Sequence, residues 1–270
     1  MTAIESLLQV EHEAGTASFL QKTSTFFRKL LEGHALKPFL IMHFFNAIQS
    51  LCGLRILTYY SVDMLSHMPG VLDVYTCTIV LSGCRACTVL VMCLITNRVG
   101  RRKLALVSGT CSCVFSCCLG LLLAGGSLIP HHVMSLLTFS LLLAFVISMS
   151  FGYLILPSIM IGETQTSSIR GIACGYMFTM NEVILGAILK LYPWLMSTLK
   201  INGLFLMFSL SCGVCTIIVY LFLPETQGLT LQQIEDYFRQ PNILWTRRNN
   251  LSPQECLLKT GNTRPHSAAD

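Results

Sequence analysis

Six stretches of this sequence are each long and apolar enough to cross a bilayer: Pro38–Leu65, Val71–Ile95, Leu104–Gly126, Val133–Ile161, Gly171–Leu199 and Gly203–Leu223. A helix rises 1.5 Å per residue, so a hydrocarbon core roughly 30 Å thick takes about 20 apolar residues. Lipid offers no hydrogen bonds, so each run has to satisfy its own backbone and is read as a helix. A membrane barrel would need alternating segments of about ten residues; these runs are longer and do not alternate. The expected fold is an all-α membrane protein with six transmembrane helices. Composition supports it: 11% of residues are charged and 53% hydrophobic, against about 25% charged in a soluble domain. A soluble enzyme, a nucleic-acid binder and a disordered chain are all poor fits.

Basic residues set the orientation. With the N-terminus inside, 14 of the 18 Lys and Arg fall in inside segments and only Lys200 in an outside connection, while Arg55, Arg85 and Lys190 lie within spans. Both termini are therefore expected in the cytosol. The first 36 residues are polar and lack the apolar core of a signal peptide, so the first span is expected to act as its own insertion signal. The layout is a cytoplasmic linker segment over 1–36, a bundle over 37–226 and a partly disordered cytoplasmic tail over 227–270. Phe26–Glu32 reads as an amphipathic patch, and Leu229–Phe238 as a short helix capped by Thr230. The sequon Asn250-Leu251-Ser252 faces the cytosol and stays unmodified.

Twelve of the 13 cysteines, Cys52 to Cys215, lie inside apolar runs. The spacings Cys84-x-x-Cys87 and Cys212-x-x-Cys215 lack a partnering pair at a polar loop, so they read as small packing residues rather than metal ligands. No cofactor or metal site is expected. Lys190 is placed to snorkel toward the headgroups, with Tyr192 and Trp194 in the outer aromatic belt.

Three motifs stand at inside ends of the runs. Asn97-Arg98-Val99-Gly100-Arg101-Arg102 follows the second run, Gly162-Glu163 and Arg170-Gly171 follow the fourth, and Pro224-Glu225-Thr226-Gln227-Gly228 follows the sixth. In this order and spacing they resemble the sugar-porter family of the major facilitator superfamily. Within it they are most similar to the insect facilitated trehalose transporters and their glucose-transporter relatives. The resemblance covers roughly residues 20–240 and corresponds to helices seven to twelve of the family, its C-terminal half. It implies that the first six helices are missing, and that the chain is a fragment or half of a twelve-helix carrier. It also implies a second six-helix half or a homodimer partner, a sugar as solute, and the plasma membrane as location. No nucleic-acid partner is expected.

The resemblance implies a cytoplasmic gate. Asn97, Arg98, Gly100, Arg101, Arg102, Glu163, Arg170, Gly171, Pro224, Glu225, Thr226 and Gly228 occupy its positions. Arg–carboxylate pairs at helix ends can hold one state closed and separate in the other. Asn97 stands where the family has an acid, which weakens one pair to a neutral hydrogen bond. The plainer alternative is that these are positive-inside anchors.

The resemblance likewise implies a substrate cavity. Gln49, Ser50, Arg55, Tyr59 and Tyr60 align with the family's seventh-helix motif, but Ser50 replaces a second Gln and Arg55 the sugar-binding Asn. Arg85 replaces an Asn or Gln of the eighth helix, Ser158 the tryptophan of the tenth, and Asn181-Glu182 an Asn-Trp of the eleventh. On an ideal helix Gln49 points about 120° away from Arg55, and a break near Gly53 would bring them together. Each charge within a span costs about 2.5–3.5 kcal/mol at the bilayer centre, so such charges face a cavity or each other. Arg85 lies twelve residues from Asn97 and Glu182 twelve from Arg170, so both sit about 18 Å from the inner edge. That depth predicts an Arg85–Glu182 pair, with Arg55 beside it.

The function implied is facilitative transport of a trehalose or hexose sugar by alternating access, with no enzymatic chemistry. Two amides turned to arginine leave open a carrier of an anionic organic solute, and the altered cavity leaves open a degenerate, non-transporting membrane protein.

Overall fold

A computed structural model describes residues 33–68, 73–96, 99–125, 130–164 and 170–222. These residues are helical throughout apart from turns, and none of them is in a strand. The helices are α1 (Gly33–Ser50), α2 (Leu54–Tyr59), α3 (Ser61–Ser66), α4 (Val74–Ile95), α5 (Arg101–Ala124), α6 (His131–Phe151), α7 (Leu156–Thr164) and α8 (Arg170–Phe222). Among the described residues four helical stretches are long and apolar enough to cross a membrane: Val74–Ile95, Arg101–Ala124, His132–Gly162 and Arg170–Phe222. α8 contains 53 residues and is broken at Lys200, where φ is 56° and ψ 177°. The N-terminal linker patch, the tail helix, Asn97 and Arg98 lie outside the described residues.

Helix ends follow local chemistry. The Asp73 side chain caps α4 by accepting the Tyr75 amide at 3.2 Å, which satisfies one of the donors every helix start leaves open. Gly125 closes α5, its backbone N–H donating a hydrogen bond to the Leu121 carbonyl.

One seam organises half of the molecule. α5 packs chiefly on α8 and α6. Its buried face carries Ala105, Ser108, Gly109, Ser112, Ser116 and Gly120, the three- and four-residue spacing of a single helix face. The residues are small, so backbones approach closely, and their hydroxyls reach across. Ser116 donates to the Phe205 carbonyl at 2.7 Å, Ser108 to the Ser148 carbonyl at 2.6 Å, and Ser209 returns a bond to the Cys113 carbonyl at 2.9 Å. Small residues and cross-helix hydroxyls are how helices associate in lipid, where the hydrophobic effect does not drive them together. A Cβ at Gly109 would run into the Tyr153 hydroxyl and Thr216, and one at Gly152 into Ser108.

Two of the runs read from the sequence as single helices are interrupted. The first breaks at Gly53 and again at Tyr60; the fourth unwinds over 152–155. In the fourth run the break has a visible reason. It lets Gly152 lie against α5, and the Tyr153 amide donates to the Ser108 hydroxyl at 3.3 Å. The cysteines divide: Cys52, Cys212 and Cys215 are buried in the core, whereas Cys87, Cys93 and Cys118 face outward.

Candidate functional site

The break at Gly53 positions the polar residues of the first run. Gly53 has φ 94°, a left-handed conformation open to glycine but strained for other residues. The ring of Phe208 fills the place a Cβ would occupy. α1 closes just before it, with the Leu51 and Cys52 amides bonding the carbonyls of Ile48 and Gln49 at 3.0 Å. α2 then starts in a new direction.

On the α1 side of the break, Gln49 donates its side-chain amide to the Tyr153 carbonyl. The Ser50 hydroxyl lies 3.0 Å from the Asn46 carbonyl and 3.1 Å from Oδ1 of Asn181, and it can donate to either. On the α2 side, Arg55 Nη1 meets Glu182 Oε1 at 2.9 Å. Asn181, held by Ser50, and its neighbour Glu182, held by Arg55, tie α8 to both sides of the break. Gln49 and Arg55 are thus sent to different partners by the break rather than joined by it.

The depth-based pairing of Arg85 with Glu182 is corrected by the structure. Arg85 donates to the Thr58 hydroxyl, and Glu182 takes Arg55. α2 carries both partners, Arg55 toward α8 and Thr58 toward α4. Depth along a helix is readable from residue counts; the lateral order of helices is not. Arg85 sits in a narrow niche with Thr58, Ser61, Thr78 and Ser82. The Arg55 and Glu182 side chains are 29% and 58% exposed. Tyr59, at 63% exposed, and Ser158 also lie outside the packed core. Ser158 lies exposed on α7, apart from the hydrogen-bonded set.

Tyr60 turns the other way. Its ring stacks on Tyr192 with centroids 4.2 Å apart, and its hydroxyl lies 3.3 Å from the Leu189 carbonyl. Tyr192 donates to Asp63 Oδ2 at 2.7 Å and is 1% exposed. The belt position read for Tyr192 is therefore corrected: its ring is packed inside, because Tyr60 and Asp63 recruit it, while Trp194, two residues on, stays 61% exposed. Lys190 is exposed. A pocket of about 700 Å³ opens beside the stacked pair, lined by Asp63, His67, Pro193, Met196, Ser197 and Lys200 among others.

At the opposite end, Arg101 and Arg102 begin α5 just after Gly100 and are half-buried. Arg102 donates to the Tyr220 carbonyl at 2.5 Å and lies over the Tyr220 ring, 5.5 Å from its centroid. Tyr220 is in the last turn of α8, where free carbonyls and the negative end of the helix dipole favour a cation. Arg170 opens α8 with Nε and Nη2 buried. A Cβ at Gly171 would meet nothing within 4 Å, so packing among the described residues does not require a glycine there. The side chain of Glu163, and all of Asn97, Arg98, Pro224, Glu225, Thr226 and Gly228, lie outside the described residues.

Three participants escaped the sequence reading. Tyr153 is fully buried; its carbonyl holds Gln49 and its hydroxyl lies 2.8 Å from the Thr216 hydroxyl. Thr58 receives Arg85, and Asp63 receives Tyr192. Asp63 had a signal, since an acid within an apolar run has to be accounted for. Tyr153 had none beyond being a buried aromatic with a hydroxyl to satisfy.

A broken first helix, polar side chains off the packed core and a seam of small residues are features of a helical membrane protein. The family described as "Sugar (and other) transporter" matches residues 5–238, and the chain belongs to that family. It is similar to the facilitated trehalose transporter Tret1 of Culex quinquefasciatus, 27% identical over 209 residues, covering 76% of this chain and 40% of that protein. Tret1 of Apis mellifera ligustica is 25% identical, covering 83% of this chain and 45% of that protein. For Tret1 of Drosophila yakuba the figures are 27%, 80% and 25%. The chain thus spans less than half the length of these relatives.

Proposed function

We propose that the chain is one six-helix half of a facilitative sugar carrier that works by alternating access. The observation that carries this reading is the family match across residues 5–238. Trehalose is the first solute to test, since the relatives are named for it, with glucose second. Six crossings are supported by the length of α8: 53 residues extend about 80 Å at 1.5 Å each, more than twice a hydrocarbon core. The break at Lys200 then falls at the outer turn between two crossings. The three-helix first run counts as one interrupted span over about 38–65, a form tolerated where backbone lines a cavity. The bundle extends over 37–226 between a linker and a tail, both termini are cytosolic, and the membrane is the plasma membrane. A second half, from another chain or a second copy, completes the cavity.

In this reading Gln49, Tyr59, Arg85 and Ser158 face the solute path around the Arg55–Glu182 bridge, with the buried Ser50–Asn181 pair bracing the helices behind it. Arg98, Arg101, Arg102, Arg170, Glu163 and Glu225 close the inner gate, with Asn97, Gly100, Gly171, Pro224, Thr226 and Gly228 shaping its turns. Uptake of radiolabelled trehalose and glucose into proteoliposomes tests the reading. Saturable, voltage-independent sugar uptake supports it; absence of uptake with any half-carrier partner rejects it. Accessibility of a tag in the 97–103 turn from the cytosolic side tests the orientation.

A second reading, a carrier of anionic organic solutes, is favoured by Arg85. A guanidinium has five N–H donors, and Thr58 receives one. Uptake of organic anions instead of sugars, abolished by Arg85→Gln, would establish it.

A further inference from the structure

We infer that the pocket between α3 and the Lys200 turn is a second binding site, for a neutral polyhydroxylated solute met ahead of the cavity beside Arg55. The inference rests on the sugar-carrier reading and adds a station to it. The pocket holds about 700 Å³, enough for a disaccharide on the scale of ligand pockets. Of the cavity residues read from the sequence it includes Tyr60 alone, so it is distinct from the Arg55–Glu182 site.

Its chemistry selects the class of ligand. Asp63 supplies a carboxylate and Lys200 an ammonium, so neither a cation nor an anion is favoured over a neutral solute. Asp63 takes the Tyr192 hydroxyl on Oδ2 at 2.7 Å, while Oδ1 lies 4.0 Å from His67 Nδ1. A carboxylate has about four acceptor positions, so Asp63 keeps capacity for solute hydroxyls. The Ser197 hydroxyl donates to the Trp194 carbonyl at 2.8 Å, which leaves its lone pairs to accept. Pro193, Met196 and Ile201 add apolar surface. Donors and acceptors beside apolar faces suit a sugar, with hydroxyls on its edges and C–H groups on its faces. The rim is also strained: Lys200 is the one described residue other than glycine with positive φ. Such strain tends to collect at ligand sites.

Trp194 follows the pocket-lining Pro193 in the chain, and its carbonyl accepts the hydroxyl of Ser197, which also lines the pocket; the sequence has two tryptophans. In the full chain in lipid nanodiscs, Trp245→Phe leaves Trp194 as sole reporter. Trehalose and glucose are titrated, with tetramethylammonium and inorganic phosphate as cation and anion probes, and binding of radiolabelled sugar is measured in parallel. The expected result is a saturable change in Trp194 emission with sugar alone, weakened about tenfold or more by Asp63→Asn and by Ser197→Leu. The serine variant fills the pocket from an exposed position, so it decides the matter if the Asp63 variant fails to fold. Radiolabelled sugar that binds without moving Trp194 and without dependence on either residue overturns the inference and leaves the carrier reading intact. No sugar binding at all overturns both. A response to tetramethylammonium or phosphate in place of sugar overturns the inference.

Discussion

The hydroxyl of Tyr60 donates to the carbonyl of Leu189, the acceptor that Pro193 leaves without its helical donor. In an unbroken helix the amide four residues on would bond that oxygen, and proline has none. A side chain from the broken first run therefore completes the backbone of α8. Tyr60→Phe is expected to cost about 1 kcal/mol of stability. Combined with Pro193→Ala, which restores the amide, the loss should shrink by a coupling of about 0.5–1 kcal/mol. Unfolding of the four proteins of the cycle in mixed micelles gives the answer; additive losses would show that the two residues act separately.

Gly53 combines two constraints, a φ of 94° and the Phe208 ring against its Cα. Gly53→Ala is expected to destabilise by roughly 2 kcal/mol or more. Phe208→Leu in the same chain should return only part of that, because room for a methyl group does not remove the backbone penalty. Equal stability of Gly53→Ala and the parent would mean that the break is not held at this residue.

The Arg55–Glu182 bridge joins α2 to α8 at 2.9 Å. Breaking a fully buried pair costs about 3–5 kcal/mol; with both side chains partly exposed, roughly 1–2 kcal/mol is the better expectation. Arg55→Glu and Glu182→Arg should each lower the amount of protein at the cell surface, and the double exchange should recover most of it. Exchanging Arg85 with Glu182 should recover none, since Arg85 is held by Thr58. Quantitative surface labelling of the four variants distinguishes these outcomes.

Lys200 has backbone angles that glycine adopts freely and other residues at a cost of about 1–3 kcal/mol. Lys200→Gly is expected to raise thermal stability by about 1 kcal/mol. The same change removes the pocket's ammonium, so sugar affinity at the Trp194 reporter should fall while stability rises. Opposite movement of the two readouts separates a functional strain from an incidental one.

Much of this architecture is legible in the residues themselves. Apolar runs of 20 or more give the helices, and the ordered motifs give the family. The interruption at Gly53 can be anticipated from a glycine inside an apolar run, but its consequence cannot: it separates Gln49 and Arg55 instead of joining them. Other features depend on which helix lies beside which. Arg85 and Glu182 stand at matching depth, yet depth says nothing of the helix between them. Tyr192 looks like a belt residue by position; only the approach of Tyr60 and Asp63 turns it inward. The interruption over 152–155 rests on how closely α5 passes Gly152, a distance that no local pattern encodes.

The glycine and serine seam of α5 divides the surface of this protein into two kinds of position. At 109, 120 and 152 the space of a single methyl group is already taken by a neighbouring helix, so almost any replacement pushes elements apart. At outward sites such as Leu94 and Leu136, more than 70% exposed, one apolar residue serves as well as another. Over evolutionary time the chain can rewrite the coat it shows to lipid while the narrow joint inside stays fixed, and drift will be recorded on one side of each helix and erased on the other.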